Sequence, residues 1–235
     1  MLFRIGLENN VEGRSMAWAL DHPGCYAYGE SADLALATIP EAIAEYADWI
    51  ASRNAGKSWV DIKDLELILE ETWDVYSIDE NFELAADGYE IGAWFRHDWK
   101  PLAAQDVERG LQILTWSRAD LLDAVYGLSG NQLSFKSPGE QWSINGILRH
   151  VARGEWWYLD NLGLAFPKAE LPEESLSCLE KVRAQLVTVL PDSIGSKQVL
   201  GASGEFWSPR KILRRAAWHE RDHTSHIRKL TSHLG

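Results

Sequence analysis

The chain has 235 residues, 46% of them hydrophobic, and a formal net charge of −12. That size suits one large domain or two small ones. No apolar run reaches the length of a membrane span, and no basic-then-apolar leader opens the chain, so neither membrane insertion nor export is expected. Cys25 and Cys178 are too few for a disulfide framework and lack metal-ligand spacing. A reduced, cytoplasmic protein with two structural cysteines is the expectation.

The charge is unevenly spread. Residues 1–95 carry 5 basic against 19 acidic side chains, a net of −14, while residues 96–235 carry 18 against 16, a net of +2. A break this abrupt predicts a domain boundary near Arg96. It also argues against nucleic acid as a ligand of the first half, because phosphate binding needs a basic footprint.

The first thirty residues read as strands. Leu2–Leu7, Met16–Leu20 and Cys25–Tyr28 are short and apolar-rich, parted by Asn9-Asn10, Glu12-Gly13 and Pro23-Gly24 turn chemistry. Ser31 suits a helix N-cap, and Leu34–Ile50 carry helical periodicity that Pro40 is expected to break. Leu65–Tyr76 predicts one or two more strands, and Asn81–Phe95 carries no clear pattern.

Beyond Arg96 the periodicity becomes helical throughout. Val107, Leu111, Leu114, Leu121 and Val125 form one seam, with Pro101 suited to its first turn. Ile144, Leu148, Val151, Glu155, Tyr158 and Leu162 form a second, capped by Ser143. Leu176, Leu179, Val182, Leu186 and Val189 form a third. The fourth is capped by Ser208, with Pro209 at its first position. Four such helices joined by Gly- and Pro-containing loops predict an antiparallel bundle. Trp142-Ser143-x-x-x-Ile147-Leu148-Arg149 recurs as Trp207-Ser208-x-x-x-Ile212-Leu213-Arg214, so helices two and four begin alike. The expected architecture is an α+β N-terminal domain, residues 1–95, followed by an all-α antiparallel four-helix bundle, residues 96–235.

The fourth helix holds the most informative residues. Ile212, Ala216, His219, His223, His226 and Leu230 recur at intervals of 4, 3, 4, 3 and 4, the rhythm of a bundle-core seam. Arg214, Arg221 and Arg228 mark the face expected to be wet. Three imidazoles therefore occupy positions where leucines would pack, and metal ligation is the leading reason. A hydrogen-bonded or pH-sensitive core cluster is the competing one. Neutral nitrogen donors suit zinc or nickel, and three protein ligands leave a position for water or substrate. His219 and His226 stand about 10 Å apart along an ideal helix axis, too far to be expected to share an ion. The pair is either His219 with His223 or His223 with His226.

His219-Glu220-x-x-His223 also matches the zinc-protease signature, in which the Glu is the general base. That reading fails, because those enzymes take a third ligand well downstream. After His223 the chain offers only His226, on the same helix, and His233, near the terminus. Glu220 moreover points about 100° away from His219. His150, near the edge of the second seam, is the candidate third ligand, with Gly154 one turn on clearing space beside it. The plainer alternative is a surface hydrogen bond. Glu155, at the centre of an apolar face, either orients a ligating imidazole or pairs with an inward arginine. Trp156, Trp157 and Tyr158 read as packing, with Tyr158 within reach of a substrate in the groove. His22, His97 and His233 show no partner pattern.

From about His97 to the end, the chain resembles the DinB/YfiT-like superfamily of four-helix bundle proteins. The resemblance rests on Ile147-Leu148-Arg149-His150-Val151-Ala152-x-x-Glu155 and on Trp218-His219-Glu220-x-x-His223. It implies ligation by His150, His219 and His223, a dimer, and zinc or nickel as the ion. Relatives include S-transferases and isomerases that use mycothiol, bacillithiol or similar low-molecular-weight thiols. His226 departs from the motif. Residues 1 to about 52 resemble the HicB-like antitoxin fold, through Ala17-Trp18-Ala19-Leu20-x-x-Pro23-Gly24-Cys25 and Gly29-x-Ser31. No DNA-binding segment of that type is present, so a regulatory function does not follow from the fold.

Together these readings predict a divalent-metal-dependent transferase or hydrolase acting on a small molecule. The competing expectation is a non-catalytic binding or stress-associated protein with a structural metal. A homodimer that binds neither nucleic acid nor membrane is expected in either case.

Overall fold

The computed structural model describes residues 1–232, so His233 lies outside the described residues. The chain forms two units. The first comprises residues 1–100 with 201–206, and the second residues 101–200 with the chain from 207 onward.

In the first unit, strands β1 (Leu2–Val11), β2 (Arg14–Ala19) and β3 (Tyr26–Gly29) precede helix α1 (Ala32–Arg53). Strands β4 (Glu66–Asp74), β5 (Tyr76–Ile78) and β6 (Tyr89–Ile91) follow it. The sheet order is β3-β2-β1-β4, with β1 antiparallel to β2 and parallel to β4. β1 is buried on both faces. Phe3, Ile5 and Leu7 alternate onto one side, and the Phe3 ring lies 5.0 Å from that of His22, which in turn meets Tyr46 of α1. On the other side Gly6 lies so close to the Phe95 ring that a Cβ would stand 2.7 Å from it. Glu8, also on that side, is buried because Trp18 Nε1 and Ala93 N both donate to its carboxylate, at 2.9 and 2.6 Å.

Ser31 caps α1 by accepting from Leu34 N. The helix runs unbroken through Pro40, contrary to the expected interruption. An interior proline costs ~3 kcal/mol. Burying Ile39, Ile43 and Ile50 along one face contributes about 1.5–3 kcal/mol for each, which outweighs it. His97, expected to lack a partner, bonds Asp21 Oδ1 through Nε2 at 2.9 Å, and Arg4 holds the other oxygen. The contact joins residues 76 apart, which local sequence does not reveal.

The second unit contains α2 (Ala104–Val125), the short α3 (Gly130–Ser134), α4 (Ile144–Asp160), α5 (Ser175–Val189) and α6 (Pro209–Thr231). Strands β7 (Leu200–Ala202) and β8 (Glu205–Trp207) pair ahead of α6, and their residues 201–206 group with the first unit. α2 packs on α6, and α4 packs on both α5 and α6. Ser143 and Ser208 cap α4 and α6 by accepting from Gly146 N and Lys211 N. Pro101 stands ahead of α2 rather than in its first turn. Its carbonyl is held by Arg210, and Asp106 closes the helix start by accepting from Ala103 N. In α5 the buried face runs through Cys178, Leu179, Val182, Arg183 and Leu186, while Leu176 in the capped first turn is 42% exposed.

One charged side chain from each long helix meets in the bundle interior. Arg183 of α5 grips Glu155 of α4 with Nε and Nη2, at 2.9 and 2.6 Å, and also reaches Glu220 of α6 at 2.8 Å. Arg118 of α2 donates to the other Glu220 oxygen at 2.5 Å. Glu155 and Glu220 are buried. Arg214, expected on a wet face, is buried as well, as is Lys211 in the first turn of α6. Arg228 is exposed as expected.

Candidate metal centre

α4 and α6 carry the three histidines. On α6 the four-residue interval puts His219 and His223 on one face, and His150 approaches from α4. His219 Nε2 lies 2.9 Å from His150 Nε2 and 3.1 Å from His223 Nε2. One ligand atom from each residue lies within 4.8 Å of the others. Ring nitrogens bound tetrahedrally to one ion at about 2.0–2.1 Å would stand roughly 3.3 Å apart. Hydrogen bonding alone serves the arrangement poorly, because the single Nε2 of His219 would have to satisfy two neighbouring nitrogens at once.

The electrostatics favour neutral donors. Burial pushes the His219 imidazole well below its usual range, and the neighbouring His223, His150 and Arg215 charges add to this. Burial likewise lowers His223, to about 3, helped by His150 and His226. Neutral imidazole is the form that ligates. His223 Nδ1 is buried with no hydrogen-bond partner among the described residues, so this ring is held by packing rather than by an outer acceptor.

Gly154 clears space as expected, but for His219 rather than for His150. A Cβ there would lie 2.7 Å from His219 Cε1. Tyr158 stands beside the cluster with its ring 5.9 Å from that of His219, and stacks on Trp207. Trp218 sits 5.7 Å from the same imidazole. Trp142 stacks on His150 at 4.5 Å between centroids.

The remaining candidates lie outside the trio. His226 turns to Glu140, with 2.9 Å between Nε2 and Oε2, and its ring centre is 6.3 Å from that of His223. Of the two readings of Glu155, the arginine pairing is the one seen. Glu220, placed by sequence on the seam's flank, is fully enclosed. Burial would raise its carboxyl, but Arg183 and Arg118 reverse this and hold it below the usual carboxylate range. It is therefore not poised to take a proton, which agrees with rejecting the protease signature. Sequence reasoning missed Glu140, Arg118 and Arg183. Trp142 carried a signal in the repeated Trp-Ser start, and its partner Gly146 leaves room for it, since a Cβ there would meet Trp142 Cβ at 2.9 Å.

The family model of the DinB superfamily matches residues 113–227, a span that contains all three histidines. The match does not extend to residues 1–112. Among solved structures, YfiT from Bacillus subtilis is described as a probable metal-dependent hydrolase with an unusual four-helix bundle topology. It aligns at 18% identity and a TM-score of 0.47, over 58% of this chain and 91% of its own. No curated protein matches the chain. No helix among the described residues is long and apolar enough to cross a membrane.

Proposed function

We propose that the chain is a divalent-metal-dependent enzyme of the DinB-like class, a transferase or hydrolase, with His150, His219 and His223 holding zinc or nickel. The observation that carries this reading is the convergence of three ring nitrogens from two helices on one point. When bound, such an ion lowers the pKa of a coordinated water or thiol and supplies a nucleophile at neutral pH. The protein's part is to fix the three donors and to wall the site with the Trp142 and Tyr158 rings. A small molecule reaching the open side is the substrate, with a low-molecular-weight thiol as co-substrate in the transferase form.

The alternative is a structural ion closed by a fourth protein ligand, with the acidic domain recruiting a partner. The contact of His226 with Glu140 counts against it, since it draws the nearest further imidazole away from the trio. The reading also includes a homodimer and a HicB-like fold for residues 1–52.

Elemental analysis of purified protein tests the site. About one zinc or nickel per chain is expected in the native protein, and almost none in a folded His219→Ala variant. Equal metal content in the two would remove the site as drawn. Metal-dependent turnover of a thiol with an electrophile, or of a hydrolysable substrate, then separates the transferase from the hydrolase.

A further inference from the structure

The turn ahead of α4 supplies no ligand, yet it touches the site's surroundings twice. Its shape is set locally. Gly139 adopts φ +85°, and Glu140 N donates to Ser137 O at 3.1 Å, closing a tight turn. The chain then enters α4 through Trp142 and the Ser143 cap. Because Gly146 has no side chain, the Trp142 ring can lie along the helix and stack, with an interplanar angle of 23°, on His150 two turns further on. From the same turn Glu140 reaches across to α6 and bonds His226, three residues past His223.

The turn thus bridges the two helices that carry the histidines. It stands on the side where the site meets solvent. His219 is only 6% exposed and is flanked by Tyr158 and Trp218, whereas His150 and His223 are half-buried. The bridging contact is itself partly open to water, at 29% exposure for Glu140 and 34% for His226. It can therefore break and reform without unfolding the helices, unlike the enclosed Glu220 network.

We propose that residues 137–142 form a clasp over the three-histidine site, and that opening of the Glu140–His226 contact sets how fast an ion enters and leaves. The inference rests on the metal reading given above. A clasp of this kind changes the rates of capture and release together and leaves their ratio nearly fixed, because Glu140 is not a ligand. Trp142 adds a second restraint by keeping the His150 ring from swinging outward.

The test uses the full chain and cobalt(II), whose visible absorption reports coordination. Uptake and chelator-driven release are followed by stopped flow in the native protein and in Glu140→Ala, Glu140→Gln and His226→Gln, each checked for a native circular-dichroism spectrum. Glu140→Ala is expected to speed both uptake and release about tenfold, the factor that loss of one charge-assisted hydrogen bond can supply. Affinity should stay within about threefold, and Glu140→Gln, which keeps an acceptor oxygen, should fall between Glu140→Ala and the native protein. Native rates in Glu140→Ala would overturn the clasp, as would weakened affinity with unaltered uptake, which marks Glu140 or His226 as part of the ligand shell. Failure of the native protein to take up cobalt would overturn the metal reading and the clasp with it.

Discussion

Glu220 shows how far a single residue's role depends on what surrounds it. In sequence it is the second letter of a protease-like motif, and in the fold it is an acceptor clamped by Arg118 and Arg183. Removing one member of an enclosed ion pair leaves an uncompensated charge, which costs about 3–5 kcal/mol. Glu220→Ala should therefore lower stability by that order in urea unfolding, whereas its loss as a general base would leave stability untouched. Asp21 provides a pH signature in the first unit. Burial raises its carboxyl, but His97 and Arg4 more than reverse that and depress it below its ordinary 3.8. A depressed carboxyl contributes stability that is present above pH 3.8 and lost as pH falls below it. Asp21→Asn should lower stability above about pH 4 and flatten the acid limb of a stability-versus-pH curve below it. The histidines could be read from sequence because imidazoles broke an apolar rhythm. Glu140 and Arg183 could not, because their partners lie 86 and 28 residues away and only tertiary packing brings them together.

At the level of elements, the four long helices of the second unit and the serine caps of α4 and α6 were visible in periodicity and cap chemistry, since both are local. What periodicity missed is the effect of burial. α1 continues through Pro40, and the start of α6 is enclosed on faces that charge alone marks as wet. Pro40→Ala restores a backbone donor within α1 and should stabilise the protein by about 1–3 kcal/mol. An unchanged urea midpoint would show that the helix had already absorbed the defect. Gly154 on α4 gives the opposite trade. Alanine there improves helix propensity by about 1 kcal/mol, but its Cβ would meet His219 Cε1 at 2.7 Å. Gly154→Ala should keep the helical circular-dichroism signal and lose metal affinity at least about tenfold by competitive chelator titration, the reverse of what a propensity argument alone predicts.

Across the whole molecule, an ion held as proposed by His150 of α4 and by α6 would tie together two helices separated in sequence. Ligand present at about a hundred times its dissociation constant adds ~2.7 kcal/mol. Chelation should accordingly lower the melting temperature by roughly 5–10 °C, and His219→Ala should be insensitive to chelator. The net of −14 over residues 1–95 sets a second expectation, that the protein does not retard DNA or RNA in a gel shift even at low salt. The grouping of residues 201–206 with the first unit was not legible in the sequence, because no local pattern says where a hairpin will dock. That hairpin completes the first unit from far down the chain. Gly204, at φ +77°, fits where a Cβ would strike Ile78 at 2.5 Å. Glu205 accepts from Gly92 N, and Phe206 meets Trp94 and Trp99. On the ribosome the consequence is a delay. At about 5–20 residues per second, the N-terminal unit waits roughly 5–20 s after Lys100 is made before its last piece arrives. Until then Gly92 N lacks its acceptor, and the Trp94 and Trp99 rings lack their Phe206 contact, a surface for a chaperone to shield.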